Sequence, residues 1–235
     1  MNASTWPRVA LRCGVLAGPL FTLAHLLEAF TRDAYDPLRH PVSSLALGPH
    51  GWMQTLNFLV TGSLTLLFAF GIRRASGPVG GSFWGPLLVG VWGVGLLGAG
   101  IFLTDPVNGY PPGSPDLLPS PTVHGVWHDG LSLMGFVSLV VACFVFAGRF
   151  ARAGAPGWAW GSVLCGVGFA VLMELANVGF VQDGGLENVA GLFQRLAATL
   201  GLAWQALLGL YLLRHRPEPR SARVLPDGRG SARSE

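Results

Sequence analysis

Six apolar runs divide the chain, at about residues 10–30, 52–71, 84–103, 125–146, 158–180 and 189–213. Each is close to the roughly 20 residues that a helix needs to cross a hydrocarbon core of about 30 Å. Backbone N–H and C=O groups find no partner in lipid, so such runs must pair them internally and be helical. A membrane barrel would show shorter strands of alternating polarity, and no such alternation runs along this chain. The pattern therefore predicts an all-α, polytopic membrane protein. One domain of six transmembrane helices covers 1–213, and a basic, disordered tail, 214–235, follows it.

Polar residues break the runs at selected depths. His25 lies roughly 7–8 Å below the end of the first, with Glu28 a turn nearer that end. Glu174 and Asn177 lie about 9 and 4–5 Å below the end of the fifth. Gln194 and Arg195 sit about two turns into the sixth, and His128 and Asp129 open the fourth. A charge at mid-helix costs about 2.5–3.5 kcal/mol on insertion scales and is rare without a partner or water. All of these residues fall in one half of the bundle, which predicts a polar pocket there. A buried Glu174–Arg195 ion pair joining spans five and six is an expected feature of it, whether or not the pocket also serves function.

Charge supplies the orientation. At 51% hydrophobic and 11% charged residues, with a mean hydropathy of +0.49, the chain is far from the roughly 25% charge of soluble domains. Arg8, Arg12, Arg73, Arg74, Arg149, Arg152 and the tail arginines flank alternate span ends. They predict a cytoplasmic N-terminus, second and fourth connection, and C-terminus. The other connections carry Arg32 and Arg39 against Asp33, Asp36, Asp105, Asp116, Asp183 and Glu187 and are expected outside. The net charge of +3 is thus spread over helix ends, which argues against a nucleic-acid surface. The bilayer is the expected partner, with a lipophilic small molecule for the pocket; nothing fixes the number of copies.

Glycine and cysteine refine the packing. Gly90, Gly93, Gly95, Gly98 and Gly100 allow close helix approach, and place the third span at the bundle centre. Cys13, Cys143 and Cys165 show no C-x-x-C spacing and read as small packing residues. Arg8 and Arg12 before an apolar stretch look like a signal peptide, but Pro19, His25 and Glu28 interrupt it, so a retained first span is expected. The first connection, 31–48, is long and predicts a cap in which Ser43 or Ser44 starts a short helix. The third is proline-rich and extended, and should bring Asp105 opposite His124 and His128.

His124 and His128, four residues apart, can share a helix face and have good spacing for two nitrogen ligands of zinc. His25 or His40 could be the third, and Asp105 or Asp129 an orienting group or base. A metal there would lower the pKa of bound water toward about 7. Two histidines with backbone or carboxylate partners are the commoner outcome of such spacing. Haem between helices ranks lower, because no second matched pair lies deeper.

The segments Asp36-Pro37-Leu38-Arg39-His40-Pro41-Val42-Ser43-Ser44-Leu45, Gly51-Trp52 with Asn57-Phe58, Phe102-x-x-Asp105-Pro106 and His124-x-x-x-His128 resemble an uncharacterised bacterial six-span membrane family. The resemblance runs over about 10–212 and implies topology and not activity; the expected location is the inner membrane of a bacterium. A looser similarity is to the alkaline-ceramidase and adiponectin-receptor-like membrane hydrolases, which use a serine, an aspartate and three histidines around zinc. It implies zinc on His124 and His128, which match its histidine pair in spacing, with Asp105 and Ser43 or Ser44 matching in residue type; the hydrolase reading takes His25 as the third ligand. Two function classes follow: a metal-assisted hydrolase of a lipid or lipophilic substrate, or a non-catalytic carrier, lipid binder or sensor using Glu28, Glu174, Asn177 and Arg195.

Overall fold

A computed structural model describes residues 5–182 and 184–215. Asp183 and the tail from residue 216 onward, to which the disorder expectation applied, lie outside the described residues. Six helices cover most of the rest: α1 Trp6–Thr31, α2 Trp52–Arg74, α3 Trp84–Ile101, α4 Val123–Arg152, α5 Pro156–Phe180 and α6 Ala190–Arg214. All six are long and apolar enough to cross a membrane, and the chain is an all-helical, multi-pass membrane protein. The helix α4 runs past the expected Phe146 to Arg152 because nothing breaks it before Gly154, whose φ of +71° ends the turn. Exposed tryptophans mark two levels, with Trp6, Trp84 and Trp160 near one end and Trp52 and Trp127 near the other. Such amphipathic rings sit at the two membrane–water interfaces. Below, these are the arginine end and the histidine end.

The helices form a ring. Each packs on the next in chain order, and α6 returns to α1. Helix α3 is therefore one stave of the ring and not its centre, which corrects the reading of its glycines. Those glycines instead serve its two neighbours. A Cβ on Gly93 would stand 3.1 Å from the Gly62 carbonyl oxygen of α2, and one on Gly95 2.9 Å from Gly135 Cα of α4. On the other side of the ring, Gly18 brings α1 against the Leu202 backbone of α6. Without a hydrophobic force between helices in lipid, this contact of backbone on backbone is what holds staves together.

The arginine half of the ring is filled. Phe68, Phe146 and Phe150 are fully buried there, with Leu11 and Ile72. Thr65 of α2 and Gln205 of α6 hydrogen-bond across the interior at 3.2 Å, level with the middle of the spans. Cys143 and Cys165, buried and free, lie against each other between α4 and α5. Arg149 closes this end by donating to the carbonyls of Pro78, Val79 and Gly80 in the second connection.

At the histidine end the first connection folds as a cap, with a 3-10 turn at Val42–Ala46. Pro41 precedes the turn, so Ser43 and Ser44 lie inside it and neither caps a helix as expected. Tyr35, Leu45 and Tyr110 form a small apolar cluster that ties this cap to the third connection.

Candidate functional site

A cavity of about 820 Å³ occupies the histidine half of the ring. Every helix contributes to it, from Phe21 of α1 and Phe58 of α2 to Leu202 of α6, and Val42 and Ser43 roof it. Its floor is aromatic: Trp92, Phe136 and Phe169 meet with ring centroids 5.7–6.2 Å apart.

The cavity has its exposed lining along the α4–α5 seam and, at the histidine end, at Leu117 and Pro121 of the third connection. On α4, Asp129, Leu133, Val137 and Val141 both line it and are exposed. On α5, Ala170, Glu174 and Asn177, with Val181 just past its end, do the same. Both sets recur every three or four residues, so each is one helix face. They are the two lips of a gap along the outer half of the α4–α5 seam. Toward the arginine end the gap closes where Gly166 meets Cys143, an added Cβ there standing 3.0 Å from the Cys143 Cβ.

The expected polar residues divide into two groups. Glu174, Asn177 and Asp129 face the gap, while Asp105, His128, Ser43 and Gln194 also line the cavity. Glu174 and Asp129 make no hydrogen bond or ion pair among the described residues. The others belong to the framework. Asp105 accepts from the Thr122 amide at 2.8 Å and the Thr122 hydroxyl at 2.6 Å, fixing the residue that caps α4. Gln194 accepts from the Val42 amide at 2.7 Å, and Glu28 pairs with Arg32 at 3.1 Å.

Arg195 does not pair with Glu174. Its Nη1 donates to the carbonyls of His40, at 2.9 Å, and Gly191, at 3.0 Å, and its Nη2 to the Tyr35 hydroxyl. The ion pairs among the described residues are Arg32–Glu28 and Arg39–Asp116. The physical reason lies in the cap: the His40 carbonyl and the Tyr35 hydroxyl sit over the start of α6 and, with the Gly191 carbonyl of α6 itself, engage both terminal nitrogens of the guanidinium, while Glu174 faces the gap.

The expected zinc ligands do not assemble. Among the described residues no group of three or more His, Cys, Asp or Glu is placed to hold a metal ion. His124 is exposed, its ring against Phe102. His128 is buried, its Nδ1 donating to the Phe102 carbonyl at 2.8 Å. His25 bonds the Phe21 carbonyl in the same way at 2.9 Å, and the rings of Phe21 and Phe58 stand between it and His128. The spacing put His124 and His128 on one helix, but α3 ends at Ile101 and leaves His124 no helix to face. Ser44 is fully buried, and its hydroxyl has no partner among the described residues.

Sequence reasoning missed the groups that fix the cap. Asp36 N donates to His40 Nδ1 at 2.8 Å, and His40 Nε2 donates to the Asn108 carbonyl at 3.1 Å. This defines a neutral ring, and burial lowers the His40 pKa below its ordinary value. Burial likewise pushes the Tyr35 phenol up to about 12, although Arg195 beside it pulls the other way. Asn108 Nδ2 donates to the Arg39 carbonyl at 3.0 Å and links first and third connections.

No curated protein and no solved structure matches the chain. Residues 15–211 match the model of a family described as protein of unknown function (DUF998), and the chain belongs to that family.

Proposed function

We propose that the protein binds a lipophilic molecule inside the helix ring and works as a carrier or receptor for it. The observation that carries this reading is the 820 Å³ cavity with its opening between α4 and α5. Small-molecule sites run to about 300–1,000 Å³, with apolar walls and a few polar groups that fix orientation, and this cavity has both. Its gap lies within the span of α4 and α5, so a molecule dissolved in the bilayer reaches it without passing through water. The arginine-rich opposite end supports an orientation with the histidine end away from the cytosol, in the cytoplasmic membrane of a bacterium. The binding reading is preferred to hydrolysis because the three histidines are apart, Ser44 is buried and Ser43 has no histidine in hydrogen-bond reach among the described residues.

The test is to close the gap. Purified protein in lipid nanodiscs is titrated with a neutral lipophilic fluorophore, with empty nanodiscs as background. Val137→Trp and Ala170→Trp, at the two lips, are expected to abolish saturable binding while leaving the melting temperature unchanged. Saturable binding that survives both would overturn the reading.

A further inference from the structure

We infer that the molecule taken by this cavity is a lipophilic cation: an apolar body carrying a positively charged head. The inference rests on the binding role proposed above and adds the charge of the ligand. The cavity has three ionisable acids on its walls, Asp105, Asp129 and Glu174, and no arginine among the described residues. The chain contains no lysine at all. Asp105 is spent on Thr122. Asp129 and Glu174 are left facing the gap, one on each lip, with no hydrogen bond or ion pair among the described residues. Both lie six residues from the histidine end of their helix, about 9 Å inside it.

The arginines at this end of the bundle are all engaged elsewhere. Arg32 pairs with Glu28, Arg39 with Asp116, and Arg195 donates to backbone carbonyls and to Tyr35. No arginine of the described protein is therefore positioned to neutralise the two carboxylates, and His128, the histidine on the cavity wall beside Asp129, is buried with its Nδ1 spent on the Phe102 carbonyl. A neutral or anionic guest would leave or add uncompensated charge beside apolar walls, whereas a cation compensates it. A second feature points the same way. The rings of Phe58, Trp92, Phe136 and Phe169 line the cavity, and aromatic faces attract cations, most strongly where water is excluded. Ser43, buried and with no hydrogen bond to its side chain among the described residues, adds a hydroxyl oxygen to the roof.

The experiment uses full-length protein in nanodiscs and three probes of similar shape. These are tetraphenylphosphonium (cation), tetraphenylborate (anion) and triphenylphosphine oxide (neutral), with binding to empty nanodiscs subtracted. Phosphonium is expected to bind saturably and about tenfold tighter than the oxide. The double variant Asp129→Asn with Glu174→Gln is expected to erase that preference, bringing phosphonium affinity down to that of the oxide. Should the double variant not fold, the single variants Asp129→Asn and Glu174→Gln are each expected to lower the preference for phosphonium over oxide. If the borate or the oxide binds as tightly as the phosphonium, or neither charge change alters the preference, the cation inference is wrong and the binding role stands. If no probe binds above empty nanodiscs, both fall.

Discussion

Arg195 and Tyr35 meet at the base of the cap, where the guanidinium donates to the phenol and the phenol in turn donates to the Pro41 carbonyl at 2.8 Å. The arginine of α6 thus holds the first connection in place through both a side chain and the His40 carbonyl. Arg195→Ala is expected to lower stability by about 1.5–3 kcal/mol per charged hydrogen bond lost, with faster hydrogen exchange over residues 35–42. Tyr35→Phe should give a smaller loss, and the double variant less than the sum, as measured by a thermal double-mutant cycle. Additive losses would mean that the two residues act separately.

Acid should loosen the same cap. His40 accepts a proton donor on Nδ1 and donates from Nε2, so a doubly protonated ring would turn one hydrogen bond into an N–H facing an N–H. Its pKa is lowered by burial and by Arg39 and Arg195, against the pull of the Asn108 carbonyl and Asp36. With the folded value depressed below about 6.5, the unfolded chain binds the extra proton first. The stability is therefore complete above about 6.5 and falls as pH drops below it toward the folded pKa. Exchange of the cap amides should rise on acidification through that window in the native protein, and the step should vanish in His40→Gln.

Glycine positions should differ sharply along α3. Gly95→Val drives a side chain against Gly135 Cα and the Leu131 carbonyl, both 2.9 Å from its Cβ. A loss of about 1–3 kcal/mol is expected, read as a lower melting temperature in detergent. Gly90→Ala meets only the Ala69 Cβ at 3.8 Å and should be nearly neutral. Equal effects at both sites would argue against the backbone contact between α3 and α4.

The histidine pair should separate in the same assay. His124→Ala removes an exposed ring and is expected to leave the melting temperature unchanged. His128→Ala frees the Phe102 carbonyl at the end of α3 and leaves space beside Phe58, so a loss of about 1–3 kcal/mol is expected. A zinc-dependent melting temperature that His124→Ala removes would restore the metal reading.

The six spans were legible because lipid imposes a length and a polarity that runs such as 84–103 display without help from neighbours. The gathering of polar groups toward one end was legible for the same reason. Rotation about each helix axis was not. Glu174 and Arg195 are attractive partners on adjacent spans, yet one turns to the gap and the other to the His40 carbonyl and Tyr35 hydroxyl of the cap, which no local pattern announces. The glycines of α3 were read as marking a centre, since small residues report close approach and not the number of helices approaching. The role of Tyr35 and Asn108 depends on two connections meeting in space, information that spacing along the chain does not hold.

The gap between α4 and α5 has a bearing on selectivity. An enclosed chamber measures the whole guest, whereas a slot in the wall lets part of it trail into the acyl chains outside. On the binding role proposed above, what fits beside Asp129 and Glu174 is only the end that enters, and the length of the remainder goes unmeasured. Compounds sharing one head and differing by many methylenes should therefore compete as near equals, while a change of a few atoms at the head separates them.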